Sequence, residues 1–184
     1  NTIAGATTFN NGGTLTLGDG GDTINFTGGV VATAPSSKTV NGTVTAAGTG
    51  VINLGTTAVN VTGSSTIGGT STGQITLGAA TLSDGVTLTL GAGAATPIST
   101  GAISGTASNA VSNLTINTTG AVTVGGAVGT DIGTVTVTQS GGTTFNGTVD
   151  AATIAITDTA DSQTVSFTQN TNATSGMTVA NAGS

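Results

Sequence analysis

A short phrase recurs along this chain: two aliphatic residues flank one small polar residue, and glycine follows. Such a phrase alternates apolar and polar side chains with the period of a β-strand, and glycine tolerates the sharp bend that ends it. The phrase occurs at positions 15–18, 52–55, 75–78, 88–91 and 122–125. Many short strands, separated by Gly, Asn, Thr and Ser, predict a chain that coils on itself.

The repeated phrase favours one all-β architecture. Because it keeps the same polarity and the same terminal glycine, equivalent positions are expected to stack in successive coils. A β-sandwich of 184 residues normally carries larger core side chains, and this sequence has neither Trp nor Tyr. We therefore predict a parallel β-solenoid (β-helix) as a single domain over 1–184, with about nine coils of about 20 residues. Strands that recur about every 8–12 residues leave a β-sandwich as the alternative.

The composition excludes most catalytic chemistry. The sequence lacks Cys, His, Glu and Arg, so it cannot build thiolate nucleophiles, Ser-His-Asp triads or His- and Cys-ligated metal sites. We predict that the protein is not an enzyme. Its net charge of −6 and its single basic side chain, Lys38, predict no nucleic-acid partner. No apolar run reaches the roughly 18 residues of a spanning helix, so no membrane insertion is predicted. Lys38 itself, beside Pro35, is expected in a solvated loop.

One acidic motif is a candidate metal site. The segment Asp19-Gly20-Gly21-Asp22 is similar to the glycine- and aspartate-rich turns that bind calcium in repeat toxins. Calcium needs six to eight oxygen ligands, which tandem copies of such a turn supply, and this chain has one copy. Asp19 and Asp22 are therefore a weak calcium candidate, and calcium is the only cofactor considered. The alternative is a tight turn in which Asp hydrogen-bonds to its own backbone.

Asp158 and Asp161 form the other close acidic pair. Paired carboxylates act as acid and base in many glycosidases. This pair is therefore the one feature that favours a third hypothesis, an enzyme that cleaves polysaccharide. The sequence lacks the basic groups and aromatic platforms that usually accompany such a pair. A solvated loop is the preferred interpretation.

Threonines spaced by two residues occur at Thr14/Thr16, Thr43/Thr45, Thr87/Thr89 and Thr134/Thr136/Thr138. Flat ladders of threonine bind ice in some solenoids, which requires the pairs at a constant offset on one face. The pairs are spaced irregularly along this sequence. They are therefore interpreted as ordinary outward-facing strand residues.

The two termini read like ordinary coils, without the polar cap that natural solenoids add to protect their strand edges. These segments are Thr2-Ile3-Ala4-Gly5 and Met177-Thr178-Val179-Ala180. Two expectations follow: the chain is a segment of a larger protein, or its copies associate end to end into a fibre.

The phrases above, and stretches such as positions 120–128, resemble the repetitive regions of large bacterial surface proteins. These are filamentous-haemagglutinin-like adhesins, autotransporter passengers and Gly/Thr-rich S-layer proteins. The resemblance implies export to an extracellular or cell-surface location and a structural, self-associating fibre or coat. The alternative is an adhesin stalk or binding module that contacts a host or neighbouring cell. No catalytic residue carries over from these families.

Overall fold

The computed structural model describes residues 1–107, 109–160 and 163–180, and in these ranges it contains strands, turns and irregular segments but no helix. The strands pair in parallel and stack as successive turns of a coil, so the predicted parallel β-solenoid is confirmed and the sandwich alternative is wrong. In chain order the strands are β1 (Thr2–Ile3), β2 (Thr7–Thr8), β3 (Thr14–Phe26), β4 (Val30–Val31), β5 (Ser37–Ala46), β6 (Ile52–Asn53), β7 (Val59–Val61), β8 (Ser65–Gly69), β9 (Ile75–Leu77), β10 (Ala80–Leu82), β11 (Thr87–Leu90), β12 (Ile98–Thr100), β13 (Ile103–Gly105), β14 (Ser112–Asn117), β15 (Val122–Val124), β16 (Val128–Gly129), β17 (Ile132–Gln139), β18 (Thr143–Phe145), β19 (Val149–Ala151), β20 (Thr153–Ile156), β21 (Val165–Phe167), β22 (Thr171–Ala173) and β23 (Met177–Val179).

The solenoid has three faces. Face 1 is an eight-stranded sheet of β2, β4, β6, β9, β12, β15, β18 and β21. The second sheet supplies the other two faces, because β5 pairs with β7 through its first half and with β8 through its second half. Face 2 continues from β7 through β10, β13, β16 and β19 to β22. Face 3 continues from β8 through β11, β14, β17 and β20 to β23.

Each coil is longer than the sequence suggested. Paired positions on face 1 recur at Val30, Ile52, Ile75, Ile98 and Val122, so successive coils take 22, 23, 23 and 24 residues. The eight strands of face 1 correspond to eight coils, not nine. At a spacing of about 4.8 Å between coils, the stack is roughly 35 Å long. The loops at the corners, together with bulges in the β3/β5 and β14/β17 pairings, absorb the variation in coil length.

Three of the five phrases lie on face 1, in β6, β9 and β15, with β12 between the last two, while the others lie in β3 and β11. Their terminal glycines allow the coils to approach at the corners. Gly91 has φ of +88°, and a Cβ at this position would lie 2.2 Å from the carbonyl oxygen of Asn117 in the next coil. Glycine at this corner is therefore required by both the backbone conformation and the contact.

The core consists of inward rows of aliphatic side chains that run along the stack. On face 3, for example, Ile67, Leu90, Ile116 and Val137 follow one another in register, and all four are fully buried. Phe145 is buried on face 1, and its ring stacks on that of Phe167 with centroids 5.0 Å apart. Burial of such rows is the main favourable contribution to folding.

A row of buried hydroxyls lines one corner of the solenoid. Ser71 Oγ donates to the carbonyl of Gly50 at 2.6 Å, and Thr118 Oγ1 donates to the carbonyl of Thr96 at 2.6 Å. Between them, the Thr96 hydroxyl donates to the carbonyl of Ser71. Each bond joins one coil to the coil before it. These hydroxyls have a structural role.

Candidate functional sites

Asp19 and Asp22 lie in a protrusion at the corner between faces 2 and 3. Strand β3 pairs with β5 at Leu17 and again at Asp22, and the four residues between them face a single residue of β5, Asn41. The extra residues bulge outward, and the positive φ values of three glycines allow the sharp path. The structure therefore brings the two aspartates of the calcium candidate together in one exposed loop.

The two carboxyl groups of this loop interact. The backbone N–H of Asp19 donates to Asp22 Oδ2 at 3.1 Å, and this hydrogen bond lowers the pKa of Asp22. The hydrogen bond between the two side chains, together with the negative charge of Asp22, raises the pKa of Asp19. A carboxylate that accepts a backbone N–H of its own loop matches the tight-turn interpretation. Calcium binding stays a prediction, for which the loop supplies two carboxylate groups as possible ligands.

No group of three or more His, Cys, Asp or Glu side chains in the described ranges could hold a metal ion. Asp158 is half-buried beyond the end of β20. Its predicted partner, Asp161, lies outside the described residues. The structure therefore supplies no geometry for a pair of catalytic carboxylates.

A shallow cleft of about 240 Å³ lies on face 2, beside β13, β16 and β19. Small side chains form it, with Ala102, Ala127 and Gly129 in place of larger outward residues. Its one carboxylate belongs to Asp150, which accepts a hydrogen bond from Asn172 Nδ2 at 2.9 Å. The other polar side chains of the lining are the hydroxyls of Ser104, Thr130 and Thr148.

Lys38 does not lie in a solvated loop, and that expectation was wrong. It belongs to β5, is 1% exposed, and occupies the inward row of face 2 between Leu15 and Val59. Its Nζ donates to the carbonyl of Pro35 at 3.0 Å and contacts the hydroxyl of Thr57. The apolar stem fills the row while the amine reaches polar atoms at the corner.

Burial lowers the pKa of Lys38 from its ordinary value of 10.5. In the pH range between the lowered pKa and 10.5, the unfolded chain binds more protons than the folded one. The free energy of unfolding is therefore expected to rise with pH through that range and to level off above it. No other side chain of this sequence titrates there, because it has no Tyr, Cys or His and no second Lys or Arg.

The measurement is urea unfolding followed by circular dichroism across this pH range, for the native chain and for Lys38→Met. The variant should show a flat profile where the native chain rises. Parallel profiles for the two proteins would contradict the assignment of the titration to Lys38.

Face 3 carries two outward rows of hydroxyl-rich side chains, which we call the hydroxyl array. In register, the central row is Thr23, Thr43, Thr66, Thr89, Thr115, Thr136, Ala155 and Thr178. Beside it, two residues earlier in each strand, the second row is Thr87, Asn113, Thr134 and Thr153. Two of the four threonine pairs, Thr87/Thr89 and Thr134/Thr136, thus lie in these rows at the same offset, with Asn113 and Thr115 between them. The other two pairs do not: Thr14 and Thr16 lie on face 2, and Thr45 lies on the opposite side of the central row from the second row.

Comparison with protein-family models, with curated proteins and with solved structures found no match. The fold places the chain in the class of β-solenoid repeat proteins. In the part of the chain that the structure describes, no helix has the length and hydrophobicity needed to cross a membrane.

Proposed function

We propose that this chain is a structural, self-associating element of a fibre or coat on a bacterial cell surface. The observation that carries the proposal is the continuous parallel stacking of strands on all three faces through the eight coils. Each coil of such a stack contacts only its neighbours, so the same packing can continue along a rod of any length. The resemblance to large surface repeat proteins supports the extracellular location.

The strand edges support self-association. At β23, Met177 and Val179 are 45% and 60% exposed, although the residues they follow in their rows, Ile154 and Ile156, are buried. At β1, Ile3 is 40% exposed above the buried Phe26. An edge that presents apolar side chains and strand backbone can pair with a further strand. The proposal assigns that strand to another copy of the chain.

The test is assembly of the purified chain, followed by negative-stain electron microscopy and sedimentation, with calcium and with chelator. We expect filaments of constant width, formed in a concentration-dependent way. Val179→Asp should abolish them, because it would bury a carboxylate between copies. Thr178→Asp, on the outward side of the same strand, is the matched control and should leave assembly intact.

Short monodisperse rods at every concentration would overturn the self-association and favour the stalk of an adhesin. Filaments that form only with calcium would support a metal role for the loop at Asp19 and Asp22.

A further inference from the structure

The hydroxyl array on face 3 is regular in two directions. Coils are spaced by about 4.8 Å along the stack, and residues two apart in a strand are about 6.6 Å apart. From Thr87 and Thr89 to Thr134 and Thr136, both rows are occupied by hydroxyl or amide side chains without a gap. This part of the face places five hydroxyls and one amide on a fixed two-dimensional grid, and the amide oxygen of Asn113 accepts a hydrogen bond from the backbone N–H of Thr134 at 3.0 Å.

The array is backed by a rigid core and uses its hydroxyls for no internal purpose. Apart from Ser65 and Ser112, the inward side chains of β8, β11, β14 and β17 are buried aliphatics, which hold the outward positions at a constant height. Among the described residues, no hydrogen bond is formed by the hydroxyls of the central row in β5, β8, β11, β14 and β17. Each of these threonines therefore presents a free donor and acceptor, together with a methyl group, to whatever lies against the face.

The side chains of face 3 limit the classes of ligand that it can bind. Strands β8, β11, β14, β17 and β20 contain no charged residue and no aromatic residue. Without charge the face does not favour a mineral or an ionic polymer, and without aromatic rings it lacks a stacking platform for sugars. What remains is a neutral solid that offers hydrogen-bonding groups on its own fixed grid.

We propose that the hydroxyl array binds ice. Liquid water exchanges around each threonine separately, whereas the ordered water at an ice surface can meet many positions of a rigid grid at once. Each contact is weak, but the contacts add because they form on one preorganised surface without ordering the protein. The proposal concerns the side of the rod and is independent of assembly at its ends.

The test measures ice growth in a nanolitre droplet: the gap between melting and freezing temperatures, and the shape of the crystal. The native chain should lower the freezing temperature below the melting temperature, and the ice crystal should grow with flat facets. Thr89→Lys should abolish both effects, because a long charged side chain in the central row would hold the ice surface away. The matched control is Thr76→Lys, a half-buried outward position on face 1 of the same coil, which should keep both effects.

Melting curves by circular dichroism establish that both variants are folded. If Thr89→Lys melts below the control, Thr89→Val takes its place, since it keeps the side-chain shape and removes only the hydroxyl. A smaller gap for that variant supports the same conclusion. An inactive native chain, or equal losses at Thr89 and Thr76, would overturn the proposal. Retention on crystalline cellulose or chitin without an effect on ice would overturn it too, and would assign the array to a polysaccharide.

Discussion

Replacing Phe145 by alanine is expected to destabilise the solenoid by about 3–5 kcal/mol, among the largest effects of any single change in this chain. The ring is fully buried, so its removal loses transfer free energy and leaves a cavity in a coil held on both sides. Stacking on Phe167, with the ring planes 4° apart, contributes about 0.5–1.5 kcal/mol beyond burial. Urea unfolding followed by far-ultraviolet circular dichroism measures the loss.

Phe9→Ala is the matched control for that experiment. Phe9 lies on face 1 in the first coil, is only half-buried, and meets Phe26 edge-on with centroids 6.2 Å apart. Because water already reaches part of the ring, the loss should be clearly smaller than at Phe145. Equal losses at the two positions would contradict the expectation that the loss in stability follows the burial of the ring.

Gly91→Ala is the second substitution with a large expected effect. An alanine at φ of +88° costs about 1–2 kcal/mol in backbone strain alone. Its Cβ would lie 2.2 Å from a backbone oxygen of the next coil, which cannot rotate away as a side chain could. Forcing the coils apart should add about 1–3 kcal/mol, as overpacking does in protein cores.

Gly48→Ala separates the two contributions, because Gly48 also has a positive φ, +61°, but an added Cβ would meet nothing within 4 Å. This control should therefore show the backbone strain alone. The difference between the two variants in the free energy of unfolding measures the cost of the close approach between coils. If the two losses agree, the contact at Gly91 is unimportant.

The fold could be predicted from the sequence because its signal is local and repeated. In the phrases at 52–55, 75–78 and 122–125, the alternation of side chains fixes which residues point inward, and the common polarity indicates that the strands stack. The number of coils could not be predicted, because corner loops without a pattern of their own set the coil length. The same loops hid the register of the threonine pairs.

The position of Lys38 shows a different limit. A lone lysine beside a proline is usually solvated, and this general tendency predicts a loop. The period-two alternation of β5 indicates the opposite, because it places Lys38 on the same side of the strand as the buried Val40. Extending the alternation of β5 backward from Val44 and Val40 predicts that Lys38 points inward. The loop at Asp19 and Asp22, by contrast, could be recognised from the glycines between the two aspartates. In the structure four residues of β3 face one residue of β5, and the three extra residues bulge outward.

Lys38 has one more consequence. Trypsin cuts only after lysine or arginine, so this sequence offers it a single bond, between Lys38 and Thr39. That bond lies within β5, in parallel pairing with β3 on one side and β7 on the other. The protease can reach it only in molecules whose first coils have come apart. The rate of digestion by trypsin therefore reports how often the first coils open. A molecule whose first coils are closed is not cut.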